Sequence, residues 1–194
     1  IPEAEIQKRL DLRTLTCFTI DPPDARDFDD AVSLETLSDG TYRLGIHIAD
    51  VSYYVSEGSP LDREAFTRST SVYFPDRVIP MLPERLSNHI CSLQPKEDRL
   101  TLSVLVHLTP EGQVLNAEIV DTVICSQARL SYEDVHLVLE GQTPPDSCAP
   151  QFAETLVQME TLRGHLTRQR IQRGAIDFDI PEPCIILDDQ GVPI

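Results

Sequence analysis

Apolar and polar positions alternate in short bursts along most of this chain, divided by proline and glycine, and a single long stretch keeps a helical period. Cys17-Phe18-Thr19-Ile20 is β-branched and aromatic and predicts a strand. It ends where an acidic loop begins, and the chain turns apolar again at Ala31-Val32-Ser33-Leu34. Asp39-Gly40 is a hairpin turn signal. After it, Tyr42, Leu44, Ile46 and Ile48 alternate with Arg43, Gly45 and His47, the pattern of a half-buried strand. Leu100 to Leu108 alternates likewise, and Pro110-Glu111-Gly112 makes a turn. Val114 to Ile124 returns with apolar residues on both faces, predicting a hairpin with one strongly buried strand. Ile176 to Ile180 reads as a further strand, and Asp188-Asp189-Gln190-Gly191 as a second hairpin turn.

Helical signals are fewer. Ser59-Pro60-Leu61-Asp62 joins a hydroxyl cap, a proline at the first helical position and an acid three residues after the cap, so a helix runs from Pro60 to about Arg68. Ser131-Tyr132-Glu133-Asp134 repeats the cap and acid and opens a short helix closed by Gly141. Pro144, Pro145 and Pro150 mark a loop. Phe152, Leu156, Met159, Leu162 and Leu166 then follow a helical period that ends near Gly174. The last turns of this helix carry Arg163, Arg168, Arg170 and Arg173, which fit either macrodipole compensation or a phosphate-facing patch. Ser71 to Pro83 is apolar yet broken by three prolines, which predicts an ordered, irregular segment of the kind that lines sites. The expected fold class is α/β (α+β): a mixed, largely antiparallel sheet with surrounding helices. Residues 1–14 read as a polar lead-in and residues 15–194 as one domain.

Composition narrows the picture. A chain of 194 residues with 41% hydrophobic content supports one packed domain. It has no run of 18 apolar residues, and its N-terminus lacks the basic and apolar regions of a signal peptide. The five cysteines are scattered, with no Cys-x-x-Cys pair. Together these features suit a soluble, cytoplasmic protein with reduced thiols. The formal charge of −16 counts against a nucleic-acid partner at first sight. An acidic cluster that holds metal ions is locally less negative than its residue count, and cations contributed by one face or by flanking segments weaken the objection further. The sequence stops at Ile194, just past a turn, which suits a piece of a longer protein.

The stretch that carries chemistry is Asp21-Pro22-Pro23-Asp24-Ala25-Arg26-Asp27-Phe28-Asp29-Asp30, with five carboxylates and one cation. Crowded carboxylates repel one another, so such a loop either spreads in water or gathers around divalent ions. An EF-hand is excluded, because counting from Asp21 places Arg26 where glycine is needed and Val32 where glutamate is needed. Asp24 and Asp27 also suit turns. Phe28 and Ala31-Val32 interrupt the acids, unlike a merely solvated run. Mg²⁺ is hard and prefers oxygen ligands, and two such ions can activate water and neutralise the oxygens of a phosphodiester. Asp50 interrupts an apolar run and reads either as a capping residue or as a second carboxylate held near the interior.

Thr19-Ile20-Asp21 with Asp24-Ala25-Arg26-Asp27-Phe28-Asp29-Asp30-Ala31 resembles the signature of the ribonuclease II and ribonuclease R family, in the ribonuclease R style. The likeness continues through His47-Ile48-Ala49-Asp50-Val51-Ser52, Thr70 to Pro83, Leu86-Ser87, Cys91-Ser92-Leu93 and Arg173 to Phe178. It implies the N-terminal part of an RNB catalytic domain, truncated at its C-terminus. The implied activity is processive 3′→5′ hydrolysis of single-stranded RNA to nucleoside 5′-monophosphates with Mg²⁺, Mn²⁺ being a substitute. By position, Asp21, Asp27, Asp29 and Asp30 fall on the metal ligands. The resemblance further implies that Asp27, Asp29 and Asp30 serve catalysis, Asp29 most critically. Tyr73 matches the aromatic that stacks on the terminal nucleotide, and Tyr132 resembles a second RNA-contacting tyrosine. The resemblance also implies a phosphate-contacting arginine beyond residue 194 and flanking cold-shock and S1-type domains. The alternatives are a non-catalytic metal- and RNA-binding fragment, or a nuclease of other polarity or acting on DNA.

Overall fold

The computed structural model describes residues 1–144, 147–176, 185, 187 and 188. The predicted strand at 176–180, the turn at 188–191, Pro145 and Cys184 lie wholly or mostly outside them. In chain order the elements are α1 (Glu3–Ile6), β1 (Leu10–Leu12), β2 (Cys17–Asp21), β3 (Asp30–Thr36), β4 (Tyr42–Ala49), α2 (Val51–Tyr54), α3 (Pro60–Arg68), β5 (Val72–Tyr73), β6 (Val78–Ile79), β7 (Asp98–Leu108), β8 (Val114–Cys125), β9 (Ala128–Ser131), α4 (Tyr132–Leu139) and α5 (Ala153–Gln172). Seven strands form one sheet in the order β1-β8-β7-β4-β3-β2-β9, and β5 with β6 makes a separate small hairpin. The inner pairings are antiparallel, whereas β1 with β8 and β2 with β9 are parallel. The sheet is therefore mixed and largely antiparallel, as the alternation predicts. No helix among the described residues is long and apolar enough to cross a membrane.

Local chemistry accounts for the helix starts. Ser59 Oγ accepts from the Asp62 amide at 3.1 Å, and Ser131 Oγ accepts from the Asp134 amide at 3.0 Å. Each satisfies a donor that the first turn leaves unpaired. Gly141, at φ +77°, closes α4 in the left-handed region that glycine tolerates. Helices α4 and α5 cover one face of the sheet through Phe18, Leu130, Val138, Phe152 and Leu156. The Phe18 and Phe152 rings lie 5.0 Å apart. A second cluster on the other face joins Cys17, Phe28, Ala31, Ala49, Leu93 and Ile124.

The structure corrects three expectations. Residues 1–14 are not merely a lead-in, because β1 pairs with Thr122–Ile124 and α1 buries Ile6 against Leu100 and Val123. Their polar character reflects ion pairing: Arg9 Nη2 lies 2.7 Å from Asp50, with both side chains nearly buried. Asp50 also accepts from the Tyr53 amide and from the Ser52 hydroxyl, so it is both the cap of α2 and an interior carboxylate.

Strand β8 is buried only at Thr122–Ile124, where β1 covers it, and is exposed over most of its first eight residues. In β4 the expected faces are reversed: His47 is fully buried while Ile48 is 43% exposed. The curled sheet closes the face of His47 around small side chains, among them Gly45, Ser33 and Ser103, leaving no room there for a branched apolar row.

Burial pushes the Cys17 thiol up to about 12 and the Cys91 thiol to about 11. Since the thiolate is the nucleophile, iodoacetamide at pH 8 should label both at least ~100-fold more slowly than in urea-unfolded protein. Peptide mass spectrometry of timed samples checks this.

Candidate metal and RNA site

The acidic loop leaves the end of β2 at Asp21 and enters β3 at Asp30. Pro22 to Ala25 make a turn, closed by the Ala25 amide donating to the Pro22 carbonyl at 3.1 Å, and Asp24 sits inside it. The rest has no regular structure but is pinned by neighbours. The buried Ser92 hydroxyl accepts from the Phe28 amide and donates to the Arg26 carbonyl, both at 3.0 Å. The Leu93 amide donates to the Phe28 carbonyl and the Ala49 amide to the Asp29 carbonyl, both at 2.8 Å. Phe28 is buried in the core below. A loop that presents acids is thereby held from beneath by its backbone and one ring, an arrangement that fixes ligands before anything binds.

The side chains of Asp21, Asp27, Asp29 and Asp30 are close enough to influence one another. Burial raises the pKa of Asp29 above its ordinary value, and Asp27, Asp30 and Asp21 raise it further. Burial also raises Asp21; a nearby Thr19 hydroxyl opposes this, Asp30 adds to it, Arg129 opposes it and Asp27 adds to it. The Thr19 hydroxyl lies beside Asp21 without a well-aligned hydrogen bond. Among the described residues no cation forms an ion pair with any loop aspartate. Nor do three acidic, histidine or cysteine side chains converge tightly enough to chelate an ion as they stand. The donor set nonetheless fits a hard divalent cation in kind. It is all oxygen, and its two shifted members carry like-charge repulsion that a cation would relieve.

Tyr132 begins α4 and is 59% exposed. It shares with Asp30 a cavity of about 630 Å³ between the sheet and α5, whose wall is otherwise mostly apolar. Tyr73 is 69% exposed on the β5–β6 hairpin. That hairpin is tied to α3 by Arg68 Nη1 donating to the Pro80 carbonyl at 3.1 Å, and no described contact joins Tyr73 to the acidic loop. Arg163 and Arg170 both line the cavity of Asp30 and Tyr132, Arg163 is also bonded to Glu160 through two 2.7 Å contacts, and Arg168 donates to His165.

Sequence reasoning missed Ser92, Thr19 and Arg129 as loop supports. Ser92 sits inside a quoted motif but shows no local sign of its reach to residue 26. Arg129 approaches the loop only because β9, which was not anticipated, pairs with β2.

A mixed sheet that carries a pinned acidic loop at a strand end defines the class, and comparison with known proteins gives the family. The chain belongs to the RNB domain family, whose model matches residues 9–194. It is 48% identical to ribonuclease R 1 of Lactococcus lactis, over all of this chain and 24% of that protein. It is 47% identical to ribonuclease R of Aquifex aeolicus, over 100% of this chain and 27% of that one. Among solved structures, Mycoplasma genitalium RNase R in complex with ribose-methylated single-stranded RNA superposes with a TM-score of 0.92 at 33% identity, covering 100% of this chain and 30% of that one. The chain thus spans roughly a quarter to a third of the length of these relatives.

Proposed function

We propose that this chain forms part of the catalytic domain of a 3′→5′ exoribonuclease that degrades single-stranded RNA processively to nucleoside 5′-monophosphates in the cytoplasm. The observation that carries this reading is the pinned loop with its four mutually repelling carboxylates, in a chain matched along its length by ribonuclease R proteins. Asp21, Asp27, Asp29 and Asp30 would hold Mg²⁺, which when bound lowers the pKa of a water ligand and neutralises charge on the attacking and leaving oxygens. The chain's own part is to hold those carboxylates on the pinned loop and fix the strand end. Water adds to the last phosphorus, and the 3′-oxygen of the preceding nucleotide leaves. Tyr73 stacks on the terminal nucleoside, and Tyr132, beside Asp30, contacts the RNA next to the acids. The residues outside this chain in the relatives are where flanking cold-shock and S1-type domains belong.

Incubation with 3′-labelled single-stranded RNA and Mg²⁺ tests the reading. Labelled nucleoside 5′-monophosphate, lost on chelation, is expected. Binding without release favours the non-catalytic alternative, and internal fragments or equal cutting of DNA favour another nuclease class. Tyr73→Ala should raise the KM for RNA about tenfold, since stacking one base contributes ~1–3 kcal/mol. Its exposure predicts an unchanged melting temperature, so steady-state kinetics beside a thermal melt decides it.

A further inference from the structure

Three buried polar side-chain atoms of the described residues lack a well-aligned hydrogen bond: Thr19 Oγ1, which lies beside Asp21, Asp21 Oδ2 and Arg129 Nε. Such groups are uncommon, because a buried polar group left unpaired is costly. They are not scattered. Strands β2 and β9 run in parallel with Thr19 opposite Arg129 and Asp21 opposite Ser131, and Thr19 and Asp21, two residues apart on one strand, share a face of the sheet. The trio is chemically complementary: one N–H donor, one carboxylate acceptor and one hydroxyl that does either. A metal ion does not suit a trio that includes a guanidinium N–H. A water does, accepting from Arg129 Nε, donating to Asp21 Oδ2 and exchanging a hydrogen bond with the fully buried Thr19.

Arg129 makes two further contacts. Its Nη2 donates to the Pro22 carbonyl, and its guanidinium lies over the Phe28 ring, 5.7 Å from the centroid. One side chain therefore grips the loop where it leaves β2 and again just before Asp29. The Ser92, Leu93 and Ala49 hydrogen bonds hold the opposite side.

We propose that Arg129, with Thr19, is the positioning group of the acidic loop: through one bridging water it fixes Oδ2 of Asp21 inward, leaving Oδ1 for the divalent ion, and it clamps Pro22 and Phe28. This rests on the metal-site reading of the loop. Lysine cannot replace it, because a single ammonium lacks the planar fork that reaches the carbonyl, the ring and the water together. Side chains that orient a metal ligand typically change metal affinity or activity ~10–100-fold when altered.

The test uses Arg129→Lys and Thr19→Val in the full chain. Mn²⁺ binding is measured by calorimetry without RNA, and amide hydrogen exchange of residues 24–28 is followed in metal-free protein. Arg129→Lys is expected to weaken Mn²⁺ binding by ~10–100-fold and to speed loop exchange. Thr19→Val is expected to weaken Mn²⁺ binding while leaving loop exchange unchanged, since it removes only one partner of the water. It carries the metal test alone if the Arg129 variant does not fold. Mn²⁺ affinity kept in either Thr19→Val or Arg129→Lys overturns the inference. Asp29→Asn separates this from the underlying reading. Mn²⁺ binding lost there but kept in Arg129→Lys overturns the inference alone, whereas Mn²⁺ binding unaffected by Asp29→Asn overturns the metal site itself.

Discussion

Replacing Asp29 with asparagine is expected to abolish RNA hydrolysis, lowering kcat at least ~1,000-fold, equivalent to about 4 kcal/mol in the barrier. Asparagine preserves shape and one oxygen, so the loss reports charge rather than packing. The same change should leave the melting temperature of the metal-free protein unchanged or raised. Asp29 is destabilised in its charged form by burial and then by Asp27, Asp30 and Asp21, and its carbonyl remains bonded to the Ala49 amide whatever the side chain. A residue kept against its own stability is the expected mark of a functional position. Single-turnover kinetics, RNA binding by filter retention and calorimetry of the metal-free protein form the test. Hydrolysis at the normal rate would show that this loop does not carry the chemistry, and a large fall in melting temperature would mark Asp29 as structural.

The parts of this architecture that were legible in the sequence are those specified by neighbours along the chain. Helix α3 begins at Pro60 because its cap, its proline and its first-turn acid lie within four residues. The β3–β4 and β7–β8 hairpins follow from turn residues between alternating runs. What remained hidden depends on pairings across more than a hundred residues: β1 against β8, and β9 against β2. Three-residue β1 is too short to show a period, and Ala128–Ser131 is too short to announce a strand, so nothing along the chain marked Arg129 as a loop contact. The aspartates were legible as a motif. Their support, by a serine at 92 and an arginine at 129, was not, because nothing local to either residue encodes where it points. His47 shows the third kind of failure, since alternation identifies two faces of a strand but cannot say that the polar one is inside.

Stability should fall steeply between pH 6.5 and pH 4 through His47 alone. Its ring is fully buried: Nε2 lies 3.0 Å from Ser33 Oγ and Nδ1 2.7 Å from Ser103 Oγ. The Ser103 hydroxyl continues to Thr122 and Thr101. This hydroxyl chain across β3, β4, β7 and β8 satisfies a neutral imidazole, which donates at one nitrogen and accepts at the other. A Cβ at Gly45 would come within 2.6 Å of Nε2, so the ring has no spare space. Among the described residues no carboxylate bonds to it, and burial lowers its pKa from 6.5 to about 4. Below pH 6.5 the unfolded chain binds a proton that the folded chain refuses. Folding free energy therefore drops with falling pH until the native ring itself protonates near pH 4, a loss of about 3 kcal/mol. Asp21 and Asp29 act in the opposite sense, since their raised pKa values favour proton uptake by the folded state. The His47 contribution is isolated by comparison with His47→Gln, which is less stable at pH 7 but should lack this part of the slope. Urea denaturation of both proteins at pH 7 and pH 4.5 should bring their stabilities ~2–3 kcal/mol closer at the lower pH. Parallel pH dependences in the two proteins would mean that His47 is charged in the folded state and that the hydroxyl chain is not what holds it.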